Sequence, residues 1–306
     1  MRQNSSMCNF TTKDSWVILS PIEQSIKQKI EAAGIPLKDW NISINYGIKT
    51  GFNDAFIISG AKRDEILANC KTDEERHKTA ELIRPILRGR DIKRYSYNWA
   101  DLWLIYIPWH FPLQWDQTIQ GASEKAEYEF QKQYPAVYSH LLKYKKELSA
   151  RNKAETGIRY EWYAMQRWGA NYWEDFNKPY IAWIELTDES KFTYCENMVA
   201  LNTVFFLNGE KLFDILGMLN SKLILYYFKN CLGTTSGVGT NRWLKFTIEK
   251  LPLVHNTPKE LEDLVKRRLK SSENNEFYSN LDEEINLKVY ELYGLTDEEI
   301  DFIQRI

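Results

Sequence analysis

ISINYGIKTGFNDAFII, residues 42–58, alternates through Ile42, Ile44, Tyr46 and Ile48, crosses Lys49-Thr50-Gly51-Phe52-Asn53 and resumes an apolar run at 55–58. Alternation with a period of two marks a half-buried strand, so the stretch predicts two strands joined by a tight, glycine-bearing loop. Upstream, residues 20–34 read as a helix. Ser20 suits the N-cap, Pro21 the first turn, Glu23 the capping box and Gly34 the stop, with Ile22, Ile26 and Ile30 as the apolar stripe. Downstream, Thr72-Asp73-Glu74-Glu75 caps a helix running toward Arg84 that Pro85 ends, and 102–107 reads as a strand. The pattern is helical over 123–148 with a break near Pro135, and strands are expected at 180–186, 192–195 and 203–207. Residues 210–231 are apolar around most of a helical circumference, which predicts a buried helix. GTTSGVGTNR, 233–242, reads as a loop, and the pattern after Pro258 is helical with a polar break at Asn274 and Asn275. The expected architecture is α+β, a mixed or antiparallel sheet body with a helical C-terminal appendage. It divides into a helical connector (1–40), an α+β body (41–257) and a helical C-terminal region (258–306).

The 306 residues are 43% hydrophobic, 27% charged and 14% aromatic, the composition of a folded globular chain with many rings for core and recognition surfaces. The formal net charge of −2 lacks the basic signature of many nucleic-acid-binding domains, but it is an average over two unlike parts. Residues 271–306 hold ten acidic and two basic side chains, a net of −8, so the other 270 residues carry +6. Cys8, Cys70, Cys195 and Cys231 show no C-x-x-C spacing, which argues against a zinc site or a disulfide framework and fits a reducing, cytoplasmic setting. Neither a signal peptide nor an apolar run of membrane-spanning length is present in the sequence.

Catalytic signatures are missing. The sequence contains neither G-x-x-x-x-G-K-S/T nor G-x-G-x-x-G, and His77, His110, His140 and His255 belong to no metal or deaminase motif. Asp175 followed by Glu189-Ser190-Lys191 has the form of a Mg-dependent nuclease site, in which two carboxylates hold the metal and the lysine answers developing charge. Thr187-Asp188-Glu189-Ser190 has the composition of a solvated turn, however, and the expectation is no catalytic residue, no bound metal and no cofactor in this chain.

Basic side chains gather instead. Arg84, Arg88, Arg90, Lys93 and Arg94 share the segment 83–97 with a single acid, Asp91; Lys143, Lys145, Lys146, Arg151 and Lys153 mark a helix end. Between 215 and 248 there are Lys222, Lys229, Arg242 and Lys245 and no acid. Such runs suit phosphate contacts, and each is also what a solvated surface looks like. INYGIKTGFNDAFII (44–58), IRPILRGRDIKRY (83–95), YPAVYSHLLKYKKELSAR (134–151), WYAMQR (162–167), KPYIAWIEL, LGMLNSKLILYYFK and the glycine-rich loop running into LKFTIEKLPL follow one another in an order that resembles the TaqI-like C-terminal specificity domain. That family is the target-recognition part of type IIG restriction enzymes, which fuse endonuclease, adenine methyltransferase and DNA-reading functions.

The resemblance covers most of the chain and implies sequence-specific recognition of double-stranded DNA. The adenine-holding motif N-P-P-Y/F and a glycine motif for S-adenosylmethionine are absent, so the chain looks like a C-terminal piece of a longer restriction-modification enzyme. S-adenosylmethionine and Mg would then be used by methyltransferase and endonuclease domains upstream, and DNA and those domains would be its partners. A base-flipping methyltransferase reaches only its target nucleotide and needs another surface to read the flanks. The residues expected at DNA are Lys49, Thr50, Asn53, Arg88, Arg90, Lys93, Arg94, Lys143, Lys146, Arg151, Gln166, Arg167, Arg242 and Lys245, while Trp162, Tyr163 and Trp168 read as core or hinge packing. The GIKTGFNDAF turn would serve equally to brace a methyltransferase neighbour, and Arg88, Arg90 and Arg94 would, if structural, pair Asp91 and the C-terminal acids. The competing class is a protein interaction module built on the acidic tail and the aromatics, with no DNA contact.

Overall fold

The computed structural model describes residues 19–232, 234–235, 240–271 and 276–305. Residues 233 and 236–239 of the glycine-rich stretch, the polar break at Asn274 and Asn275, and Cys8 lie outside them. The fold is α+β. An antiparallel sheet at its centre orders the strands Ile42–Tyr46, Val204–Gly209, Tyr180–Ile184 and Thr193–Cys195. A second, mixed sheet orders Ile57–Ser59, Leu102–Ile105, Ile83–Leu87 and Val199–Ala200, the last pair parallel.

Alternation along the central strands feeds two apolar cores. Ile181, Trp183, Phe205 and Leu207 face one core, and Tyr180, Ala182, Val204 and Phe206 face the other. Both faces are therefore buried, which is why these strands read as almost unbroken apolar runs. The first core is closed by helices drawn from both ends of the chain. Pro21–Ala33, capped as the sequence predicts by the reciprocal Ser20–Glu23 pair, brings in Ile26 and Ile30. Leu212–Leu219, Lys222–Tyr227, Lys259–Lys270, Glu276–Leu292 and Asp297–Arg305 complete it. The second core lies between the central sheet, the mixed sheet and the helices Glu124–Gln133, Pro135–Leu142 and Lys145–Ala150. Among the described residues no helix is long and apolar enough to cross a membrane.

The deciding stretch departs from its reading in one respect. Ile42–Tyr46 and Ile57–Ser59 are both strands, but they belong to different sheets, and a four-residue helix, Asn53–Phe56, stands between them. Ala55 and Phe56 are buried in the second core, so the intervening turn is a crossover between layers instead of a hairpin tip. Gly47 makes the crossover possible: a Cβ there would sit 2.1 Å from the Leu201 carbonyl oxygen. The helix read over 210–231 is likewise broken, at Asn220 and Ser221, where Ser221 caps the second segment.

Candidate nucleic-acid interface

The crossover turn 49–53 lies between two grooves. One, of about 470 Å³, is lined by Lys49, Gln166, Arg167, Asn171 and Tyr172. The other, of about 720 Å³, is lined by Asn53, Asp54, Arg88, Arg90, Glu185 and Asn202 among others. Regular structure holds each wall. Lys49 and Arg167 exchange backbone hydrogen bonds (2.8 and 2.9 Å), and the Gln166 N–H donates to the Thr50 carbonyl at 3.2 Å. Their backbones are fixed, and the side chains of Lys49 and Arg167 are exposed with no ion pair among the described residues.

Arg151 stands behind this wall. Its guanidinium donates to the Thr50 carbonyl (2.7 Å), the Trp162 carbonyl (3.1 Å) and the Ala164 carbonyl. Burial draws its pKa down to about 10, yet the three carbonyl dipoles solvate the cation and tie the turn to the WYAMQR segment. Arg151 is thus a structural clamp, its guanidinium committed to three carbonyls, where the sequence reading expected it to be available for DNA. Thr50 is corrected for the same reason: it is buried, and its hydroxyl donates to Asn53 Oδ1 at 2.6 Å. Trp162, Tyr163 and Trp168 are buried packing residues as read.

The RGRDIKR segment divides similarly. Arg88 clamps Asp91 through two bonds, Nε to Oδ2 at 2.8 Å and Nη2 to Oδ1 at 2.6 Å, and the carboxylate raises the arginine's pKa. Arg94 reaches Asp282 at 2.7 Å and the Asn220 carbonyl at 2.9 Å, and Arg268 meets the same carboxylate at 2.6 Å. Both arginines are committed inside the molecule, to Asp91 and to a C-terminal acid. Arg90, at the tip of the Gly89–Asp91 turn, is exposed and forms no ion pair among the described residues. Gly89 holds that tip in place, its N–H donating to Thr203 Oγ1 at 3.2 Å. Lys93 is half-buried in the following turn, its N–H on the Ser96 carbonyl at 2.9 Å.

At the far rim of the larger groove, Arg242 is fixed by its neighbour. Trp243 stacks on Phe228 at 3.7 Å and donates its backbone N–H to the Glu185 carbonyl at 2.8 Å. Arg242 then pairs with the Glu185 carboxylate at the groove edge. Lys245 turns inward to the Ile44 carbonyl at 2.8 Å, joining its helix to the central sheet, so it too is a structural contact. Lys143 and Lys146 are exposed at the helix junction beside the turn, where Tyr144 packs on Phe52 with ring centroids 6.1 Å apart. Asn202, Asp54 and Asn171 line the grooves without a sequence signal; Asn202 follows a strand of two residues, too short to show alternation.

Asp175 and Glu189 are not brought together. They flank opposite ends of Tyr180–Ile184; Asp175 binds Asn45 (3.3 Å) and Lys178 (2.9 Å), and Glu189 pairs with Lys191 at 3.4 Å. No group of three or more His, Cys, Asp or Glu side chains among the described residues is placed to hold a metal. The nuclease geometry considered from sequence is therefore not formed.

Among solved structures, the type IIL restriction-modification enzyme MmeI in complex with DNA matches over 88% of this chain and 35% of its own, with 14% identity and a TM-score of 0.52. The type IIG restriction endonuclease BpuSI matches over 89% and 33%, with 12% identity and a TM-score of 0.45. The MmeI likeness is one of fold, and the chain spans about a third of the length of either enzyme. No curated protein matches the chain. The model of the TaqI-like C-terminal specificity domain matches residues 84–253, more than half of the sequence and the part that carries Arg90, the Gln166–Arg167 wall and the Glu185–Arg242 rim. By that match the chain belongs to the TaqI-like C-terminal specificity domain family.

Proposed function

We propose that this specificity domain reads double-stranded DNA through the two grooves beside the 49–53 turn, for methyltransferase and endonuclease activities carried elsewhere in a longer restriction-modification polypeptide. One observation carries the reading: Lys49, Arg90 and Arg167 are exposed and have no ion pair among the described residues, on backbones held by hydrogen bonds, whereas Arg88, Arg94 and Arg151 are consumed by the fold. A rigid backbone presenting an unpaired planar guanidinium is what bidentate contact with a guanine edge or a phosphate requires. Asn53, Asn202 and Gln166 line the same grooves and have the donor–acceptor pairs that match adenine. Lys49, Lys143 and Lys146 supply point charges for phosphates.

The chain itself performs no chemistry on this reading. S-adenosylmethionine and Mg belong to the neighbouring domains, and the compartment is the cytoplasm. Selection from a pool of randomised duplexes tests the proposal: the chain should enrich a short common sequence, and Arg90→Ala or Arg167→Ala should relax it at single positions. Incubation with S-adenosylmethionine, Mg²⁺ and plasmid should give neither methylation nor cleavage. Recovery of unenriched sequence, or turnover by the chain alone, would overturn the reading.

A further inference from the structure

Arg84 leads to a cavity the DNA reading does not use. This residue, on the strand Ile83–Leu87, lines a space of about 320 Å³ walled by the rings of Phe111, Trp115, Tyr134, Trp168 and Trp173. That volume lies at the lower end of the range of about 300–1,000 Å³ for small-ligand sites. The Arg84 guanidinium donates from Nη2 to the Phe176 carbonyl at 3.0 Å and meets no carboxylate among the described residues. Burial lowers its pKa, the sign of a cation whose lost hydration no acid replaces. The acid at the cavity rim, Glu81, faces His77 at 3.5 Å, and the rim lysine, Lys78, is engaged by Glu74.

Two further features share the space. Gln114 Oε1 is buried there without a hydrogen-bond donor among the described residues. Trp115 is 60% exposed and touches Trp168 and Trp173 at centroid distances of 5.9 Å, leaving much of its ring uncovered. An unanswered cation, an unmet acceptor and an open aromatic wall together describe a ligand with a negative group, an N–H and a flat ring.

We propose that this cavity is a nucleotide site, with the base against Trp115, a base N–H on Gln114 Oε1 and the phosphate on Arg84. Trp168 is also a wall of the Lys49–Arg167 groove, so the nucleotide has two possible sources, one unstacked from a bound duplex and one free in solution. The duplex source rests on the DNA reading above; the free source does not.

Calorimetric titration of the full chain with deoxyadenosine monophosphate, deoxythymidine monophosphate and deoxyribose 5-phosphate tests the site. Saturable binding of the nucleotides is expected, with the sugar phosphate at least tenfold weaker. Trp115→Ala, at an exposed position, should weaken nucleotide binding about tenfold, the size of one base–aromatic contact. Arg84→Gln should abolish the preference for deoxyadenosine monophosphate over deoxyadenosine, titrated alongside, with melting curves confirming that both variants fold. In parallel, duplexes carrying 2-aminopurine at successive positions report unstacking. A fluorescence change that Trp115→Ala removes assigns the duplex source; nucleotide binding without such a change assigns the free one. Intact duplex binding with no nucleotide response in either arm would overturn the site and leave the DNA reading standing. Nucleotide binding by a chain that does not bind duplex would do the reverse. Nucleotide binding unchanged in Trp115→Ala would also overturn the site.

Discussion

Arg151 and Arg167 carry the same side chain on facing sides of one turn, and only their surroundings give them different work. Arg151 donates to the carbonyls of Thr50, Trp162 and Ala164, so Arg151→Ala strips the Trp162 and Ala164 carbonyls of this donor, leaves Thr50 only the Gln166 N–H, and should cost about 3 kcal/mol. Arg167 touches solvent, and Arg167→Ala should stay within about 0.5 kcal/mol while weakening duplex binding. Urea unfolding together with fluorescence anisotropy on a duplex separates the two. Loss of stability in Arg167→Ala with unchanged DNA affinity would reverse the assignment. Residue type alone nominated both arginines; what the sequence does not carry is which carbonyls a side chain meets once the turn has packed.

Between elements, Glu299 fastens Asp297–Arg305 to Pro21–Ala33. Burial opposes its ionisation, but Lys29 at 2.6 Å, the Thr296 N–H at 2.7 Å and the Ser25 hydroxyl at 2.7 Å outweigh that and hold its pKa at about 2 against an ordinary 4.5. A carboxylate depressed on folding adds stability that is complete above about pH 4.5 and lost as the pH falls toward 2, here up to about 3 kcal/mol. Denaturant unfolding of wild type and Glu299→Gln at pH 7, 4.5 and 3 should show a difference that shrinks with acidification; a constant difference would contradict the linkage. Local signals made the helices legible. The Ser20–Glu23 box, the Thr72 cap and the Pro135 break all stand where residue chemistry puts them. Pairing between strands was less legible, because Ile42–Tyr46 and Ile57–Ser59 look like hairpin partners locally and are separated by the burial of Ala55 and Phe56. Likewise, the site was visible as basic segments, and the commitment of Arg94 to Asp282, a contact between residues far apart in sequence, was not decided by either segment alone.

On the scale of the molecule, one central sheet serves two cores, and helices from both chain ends cover its outer face. Leu261, Val265, Ile285, Val289 and Tyr290 are buried there with Trp183 and Leu207. Deleting residues 258–306 should therefore expose that face and leave the remainder aggregated, whereas a soluble, cooperatively melting fragment would show that the outer helices are dispensable. The acidic C-terminal region also finds a physical role: the Asp282 carboxylate is shared by Arg94 and Arg268, while Lys49, Arg90 and Arg167 at the grooves have no ion pair among the described residues. The proposed DNA reading depends on that sorting of the cations. The most direct test is the salt dependence of duplex binding for the folded chain and a Lys49→Ala, Arg90→Ala, Arg167→Ala variant. Wild type should bind with a steep log–log slope, and the variant, with an unchanged melting temperature, should bind more weakly with a slope flatter by up to about 2.7, or about 0.9 for each phosphate it no longer neutralises. Equal affinities and equal slopes in the two proteins, or no duplex binding by folded wild type at low salt, would contradict it.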